Sequence, residues 1–175
     1  GCLTGCGGSD STTSNTNSGS SSNDSAKVET LADGGGKVLN IYVWNDEFSS
    51  RFEKYYPDYD KSTKSIGDVK VNFIQNANEG NNYQDKLDAA LKAQDSASAD
   101  DKVDMFLCEM DYVNKYTNTD KALDVKALGL TDEDMSQMYD YTKQAATGVD
   151  GVLRGVSWQG CPGGFVYRRS YAKQI

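Results

Sequence analysis

The chain has no histidine, and only two prolines and four cysteines in 175 residues. Without imidazole, Ser-His-Asp and Cys-His catalysis and the common zinc sites are excluded within these residues. Cys2 and Cys6 stand at the start. Cys108 and Cys161 lack the close spacing of a metal motif, and sequence alone leaves open whether they pair as a disulfide. No apolar run approaches the roughly 20 residues of a membrane-spanning helix, so any membrane attachment must be through lipid. Positive charge is scarce, with 18 Lys and Arg against 26 Asp and Glu for a net charge of −8. Nucleic acids and anionic membranes call for clustered Lys and Arg, so neither is an expected partner. The loop Asn76 to Asn82 lacks the spaced acids of a calcium site, and no metal or cofactor site is visible.

What is present begins with Leu3-Thr4-Gly5-Cys6, which fits a bacterial lipobox: an apolar residue three positions before the cysteine, with small residues between. Cys6 is the expected lipid carrier and residues 1–5 a signal-peptide remnant. Cys2 is the rival, although the rest of its box precedes the sequence. From Gly7 to about Ala26 the chain is Gly, Ser, Thr, Asn and Asp, too polar to offset its ordering entropy by burial. Residues 6–36 therefore read as a lipidated cysteine and flexible tether. The location expected is extracytoplasmic, anchored by lipid to the outer face of the cell membrane, which is the periplasmic side where the host has an outer membrane. Beyond the tether about 140 residues remain to build a core, enough for one lobe.

Lys37 to Trp44 is nearly continuous in β-branched and aromatic residues, the pattern of a strand covered on both faces. Asn45 to Tyr56 places Phe48, Phe52 and Tyr55 at helical spacing and stops at Pro57. Val69 to Gln75 alternates as a strand does. Tyr83, Leu87, Ala90 and Leu91 form one apolar stripe of a helix, and Val103 to Cys108 reads as a third strand. Strand, helix, strand, helix, strand predicts an α/β fold with a mostly parallel sheet. Thr131 and Asp134 predict a capping box opening a helix that runs through Met135, Met138, Tyr139 and Tyr141 toward Gly148. Val149-Asp150-Gly151 reads as a turn, with short strands expected over 152–156 and 164–168. Ser170 opens another helix close to Ile175, so an N-terminal fragment of a longer protein is expected.

In open α/β sheets, ligands bind beyond the carboxyl ends of the strands. Trp44-Asn45-Asp46-Glu47, Asn76 to Asn82 and Glu109-Met110-Asp111 follow the three strands, and Trp158-Gln159 supplies a second tryptophan. An indole stacks on the apolar face of a pyranose, while carboxylates and amides pair with its hydroxyls. Each residue also has a plainer use: the tryptophans as core, Asp46 and Glu47 as acids in a first helical turn, Asp111 as an N-cap, the asparagines as turn formers. The carboxylates also allow a polyamine ligand, or a glycoside hydrolase with Glu47 and Glu109 as its pair. A peptide ligand is a further alternative.

At Trp44-Asn45-Asp46-Glu47-Phe48 and Trp158-Gln159-Gly160-Cys161-Pro162-Gly163-Gly164, the chain resembles the sugar-type (family 1) extracellular solute-binding lipoproteins of bacterial ABC importers. Tyr83 to Leu91, Val103 to Phe106 and Ala122 to Leu130 are similar to the family's stretches in the same order, so the likeness runs over 37–175. Arg168-Arg169 departs from the Tyr-Asn or Asn-Lys that many relatives carry there. The resemblance implies a periplasmic-binding-protein-like (type II) first lobe over 37–175, with most of the second lobe missing. It implies a non-enzyme that captures a carbohydrate, an oligosaccharide, and delivers it to ABC permease subunits, acting as a monomer when complete. It places Trp44, Asn45, Glu47, Glu109, Asp111, Trp158 and Gln159 near the ligand cleft, with no catalytic residue and no cofactor.

Overall fold

A computed structural model describes residues 31, 34–161, 163–164 and 166–174. Cys6, its rival Cys2 and the residues expected as signal remnant and tether up to Thr30 lie outside the described residues.

The fold is α/β, built on a mixed five-stranded sheet in the order β2-β3-β4-β1-β5. Its centre is β1 (Val38–Val43), paired in parallel with β4 (Val69–Gln75) over its whole length and with β5 (Met105–Phe106) on the other side. Both faces of β1 are covered, which is why its sequence is nearly continuously apolar. Ile41 and Val43 pack with Val71 and Leu107, against Phe48 and Phe52 of α1 (Glu47–Tyr55). Tyr42 faces the opposite layer, where Tyr83, Leu87 and Leu91 of α2 (Asn82–Lys92) are buried as the stripe predicts. Trp44 borders both clusters.

Sequence reasoning misses the antiparallel edge. Strands β2 (Tyr59–Asp60) and β3 (Ser65–Ile66) pair with each other, and β3 pairs with β4. Asp60 holds the first turn by accepting from the Ser62 amide and hydroxyl. The second turn is the two-residue connection Gly67-Asp68, with Gly67 at φ +58. The sheet is therefore mixed at one edge, where the sequence predicts a mostly parallel one.

The third strand is shorter than expected because side chains take over its backbone partners. Gln94 clamps Val103, its amide accepting from Val103 N–H at 2.8 Å and donating to Val103 C=O at 2.8 Å. Asp104 accepts the Asn40 N–H at 2.7 Å, in place of a strand carbonyl. Asn40, buried inside β1, completes the strap: its Nδ2 donates to the carbonyls of Asp100 and Lys102, both at 2.8 Å, and its Oδ1 accepts from Asn72.

Downstream, helical structure is sparser than the pattern predicts. The Thr131–Asp134 box forms, with hydrogen bonds in both directions. The helix that should follow does not propagate: residues 132–138 form successive turns, and a helix α4 appears only at Asp140–Ala145, after α3 (Asn114–Thr117). Asp, Ser and Thr compete with the helical ladder, as Ser136 Oγ does by bonding Glu133 C=O, and Tyr139 is extended at ψ 134. The turn at Val149-Asp150-Gly151 is present. The strand expected over 152–156 reduces to one isolated bridge, Thr147 with Leu153. Its carbonyls and amides are used singly, Leu153 C=O by Val125 and Val152 C=O by Gly148, so no ladder extends. No strand forms over the described residues of 164–168, where Val166 and Tyr167 are exposed; Phe165 lies outside the described residues. A short α5 (Arg169–Ala172) follows, in keeping with the expected helix at Ser170. Among the described residues, no helix is long and apolar enough to cross a membrane.

Candidate functional site

Because β4, β1 and β5 run parallel, the segments leaving their carboxyl ends emerge at one edge of the sheet. Three backbone and side-chain links tie them there: Asn76 N–H to Val43 C=O, Leu107 N–H to Tyr42 C=O, and the Tyr83 hydroxyl to the carbonyls of Leu107 and Tyr42 at 2.6 and 3.1 Å.

On the β1 side, Trp44 is half-buried and meets Tyr83 edge to face, centroids 5.3 Å apart. Its plainer role as core is thus partly realised. Asn45 Oδ1 accepts the Glu47 N–H at 2.9 Å, satisfying a donor at the start of α1. Glu47 itself pairs with Arg51 one turn on, at 3.2 Å. Arg51 in turn lies over the ring of Trp158, 5.3 Å from its centroid, while Phe48 meets the same indole edge to face at 5.4 Å. Four of the residues expected from sequence, Trp44, Asn45, Glu47 and Trp158, are therefore gathered around the first turns of α1. Arg51, the residue that joins Glu47 to Trp158, escapes sequence reasoning because it reads as an ordinary solvent-facing helix residue.

Gln159 follows Trp158 into a cleft of about 180 Å³. The cleft is lined by Trp158, Gln159 and Gly160 of one loop, Ser157 before them, and Gln137, Met138, Tyr139 and Thr142 around the start of α4. None of these residues is charged. A larger cavity of about 280 Å³ lies among Asn118, Thr119, Asp120, Val149, Asp150 and Arg154, and contains none of the ligand-site residues expected from sequence. Its cation, Arg154, forms a two-pronged pair with Asp150 at 2.6 and 2.8 Å and donates to Thr117 C=O, so it has little left to offer a ligand.

On the β5 side, Glu109 and Asp111 are exposed in the turns before α3, and neither side chain makes a hydrogen bond or ion pair among the described residues. The Asp111 side chain does not cap α3, which begins after Val113 with no side-chain cap. Next to the two carboxylates, Tyr112 packs against the core, its hydroxyl buried without a hydrogen-bond partner among the described residues, and burial pushes its pKa up to about 12. Burial likewise pushes the Cys108 thiol up to about 12. Cys108 and Cys161 are both free thiols. In the loop after β4, Asn81 and Asn82 are engaged locally, with Asp85 and with Ala77 C=O, and Asn81 takes φ +68, the turn-forming role.

The arrangement offers an uncharged aromatic cleft, two tryptophans near one helix start, and free carboxylates on the neighbouring loop. No group of three His, Cys, Asp or Glu side chains is placed to hold a metal ion among the described residues. No family model and no curated protein matches the chain.

Proposed function

We propose that the chain is the substrate-binding component of a bacterial ABC importer, tethered to the membrane by lipid at Cys6. In this proposal the α/β unit is the first lobe of a type II binding-protein fold. It captures a carbohydrate, an oligosaccharide, and hands it to the permease without chemical change. The observation that carries the proposal is the lining of the cleft at Trp158 and Gln159: aromatic rings and amides with no charge. Aromatic faces take the C–H surface of a sugar, and amides exchange hydrogen bonds with hydroxyls. A polyamine finds no carboxylate in that cleft, and Glu47 is already paired with Arg51. Closure of a second lobe over the site would complete the burial of the ligand, and only the closed form would present the right surface to the permease.

Calorimetric titration with neutral oligosaccharides and with spermidine, followed by chromatography of the recovered sugar, tests this. Micromolar binding of an intact sugar, insensitive to salt and lost in Trp158→Ala, is expected. Cleaved sugar would make Glu47 and Glu109 the pair of a hydrolase, and salt-sensitive spermidine binding would replace the ligand class.

A further inference from the structure

Tyr139 and Tyr141 lie beside the cleft at the start of α4, their rings nearly parallel at 19° with centroids 6.0 Å apart. They are 70 and 42 % exposed, whereas Tyr83 and Tyr116 are buried in the core. Trp158, by contrast, is partly occupied, with Arg51 over its ring and Phe48 at its edge. The open aromatic surface at this site therefore belongs to the tyrosines. Gly160 keeps it open: a Cβ there would come within 3.1 Å of the Tyr141 hydroxyl and 3.5 Å of Tyr139 Cδ2, so any longer side chain would lie across the rings. Gln137 and Gln159, both lining the cleft, have side-chain amides with no hydrogen bond among the described residues. They leave donors and acceptors for hydroxyl groups next to the rings.

We infer that Tyr139 and Tyr141 form a second aromatic subsite continuous with Trp158, so that the ligand is a chain of at least two sugar rings. This rests on the carbohydrate function proposed above and goes beyond it by adding residues that sequence reasoning assigned only to a helix face. A single pyranose covers one aromatic ring. Tyr139 lines the same cleft as Trp158, and Tyr141 lies beside it next to Gly160, so each additional sugar ring bound along them would remove further apolar surface from water.

The test is calorimetry of the chain with α-1,4- and β-1,4-linked gluco-oligosaccharides of one to five residues. Affinity is expected to rise at least tenfold between the shortest member that binds and longer ones. Replacing both rings, Tyr139→Ala with Tyr141→Ala, should abolish that rise, so that longer members bind no more tightly than the shortest. Tyr139→Phe should preserve it, and Gly160→Leu should abolish it with both rings intact. Far-UV circular dichroism of each variant establishes that it is folded, as the exposure of the tyrosines leads one to expect. If sugars bind and the length dependence survives the double alanine variant, the second subsite is refuted and the carbohydrate function stands. If no sugar in either series binds the unaltered chain, the carbohydrate function fails and the subsite with it.

Discussion

Asn40→Asp should be among the most damaging isosteric changes this chain can suffer. The asparagine is 3 % exposed in the central strand, and its Nδ2 donates to Asp100 C=O and Lys102 C=O, both at 2.8 Å. The carboxylate keeps the shape and the acceptor for Asn72, but it turns the double donor into an oxygen facing two carbonyl oxygens. Losing two hydrogen bonds of about 1 kcal/mol each, with the desolvation of a charge added, gives a destabilisation of about 3–5 kcal/mol at pH 7. Asp104, which accepts the Asn40 amide and whose own pKa is raised by burial first and by Asp100 to a lesser extent, adds like charge nearby. The new carboxyl must therefore titrate higher in the folded chain than in the unfolded one, where it titrates near about 4. The sign follows: ionisation costs nothing below the unfolded value, and the loss grows as pH rises through the folded one. Urea unfolding followed by circular dichroism at pH 7 and pH 4 measures this, and the gap to the unaltered chain should narrow at the lower pH. Asn40→Ala, which loses the bonds without adding charge, should show a gap that does not change with pH. A variant within about 0.5 kcal/mol of the original at pH 7, or a gap indifferent to pH, would refute the strap as a stabilising device.

Three further outcomes are expected. In Gly148→Ala the new Cβ would sit 2.6 Å from both Arg154 Nη1 and Thr117 C=O, so thermal unfolding should show a loss of about 1–3 kcal/mol from overpacking. The Arg154 guanidinium, hydrogen-bonded to Asp150, holds that carboxyl down to about 2; its stabilising share is present above the unfolded value near about 4 and lost as pH falls toward 2, so Asp150→Asn should flatten the acid unfolding curve in that window. Among the described thiols, alkylation of the native chain followed by peptide mapping should label the exposed Cys161 and spare Cys108 until denaturant is added.

The part of the fold legible in the sequence is the part governed by burial. Apart from Asn40, Val38 to Val43 is apolar because α1 and α2 cover it from both sides, and Tyr83, Leu87 and Leu91 recur because one stripe of α2 meets the sheet. Where side chains replace backbone partners, periodicity is silent. Gln94 clamping Val103 and Asp104 reaching Asn40 shorten β5 without any mark in its apolar pattern. The β3–β4 turn went unread, although Gly67-Asp68 between Ile66 and Val69 carries a hairpin signal. At 131–148 the apolar spacing resembles a helix while the intervening Asp, Ser and Thr favour turns, and the turns prevail over the first half. Of the site, Trp44, Asn45, Glu47 and Trp158 come together. The tyrosine pair was hidden because an exposed aromatic on a helix pattern looks the same as a buried one, and Glu109 and Asp111 remain on a separate loop.

Trp44 belongs to the packing on both faces of the sheet, and Tyr83 beneath it holds β1 and the segment after β5 together through one hydroxyl. The edge of the sheet is thus a keystone in the mechanical sense. The indole meets Tyr83 edge to face, and the Tyr83 hydroxyl reaches the carbonyls of Tyr42 and Leu107, so a ligand resting on Trp44 would bear on that junction. Slowed hydrogen exchange at Leu107, well away from the aromatic cleft in sequence, would then be an internal gauge of whether anything rests on Trp44.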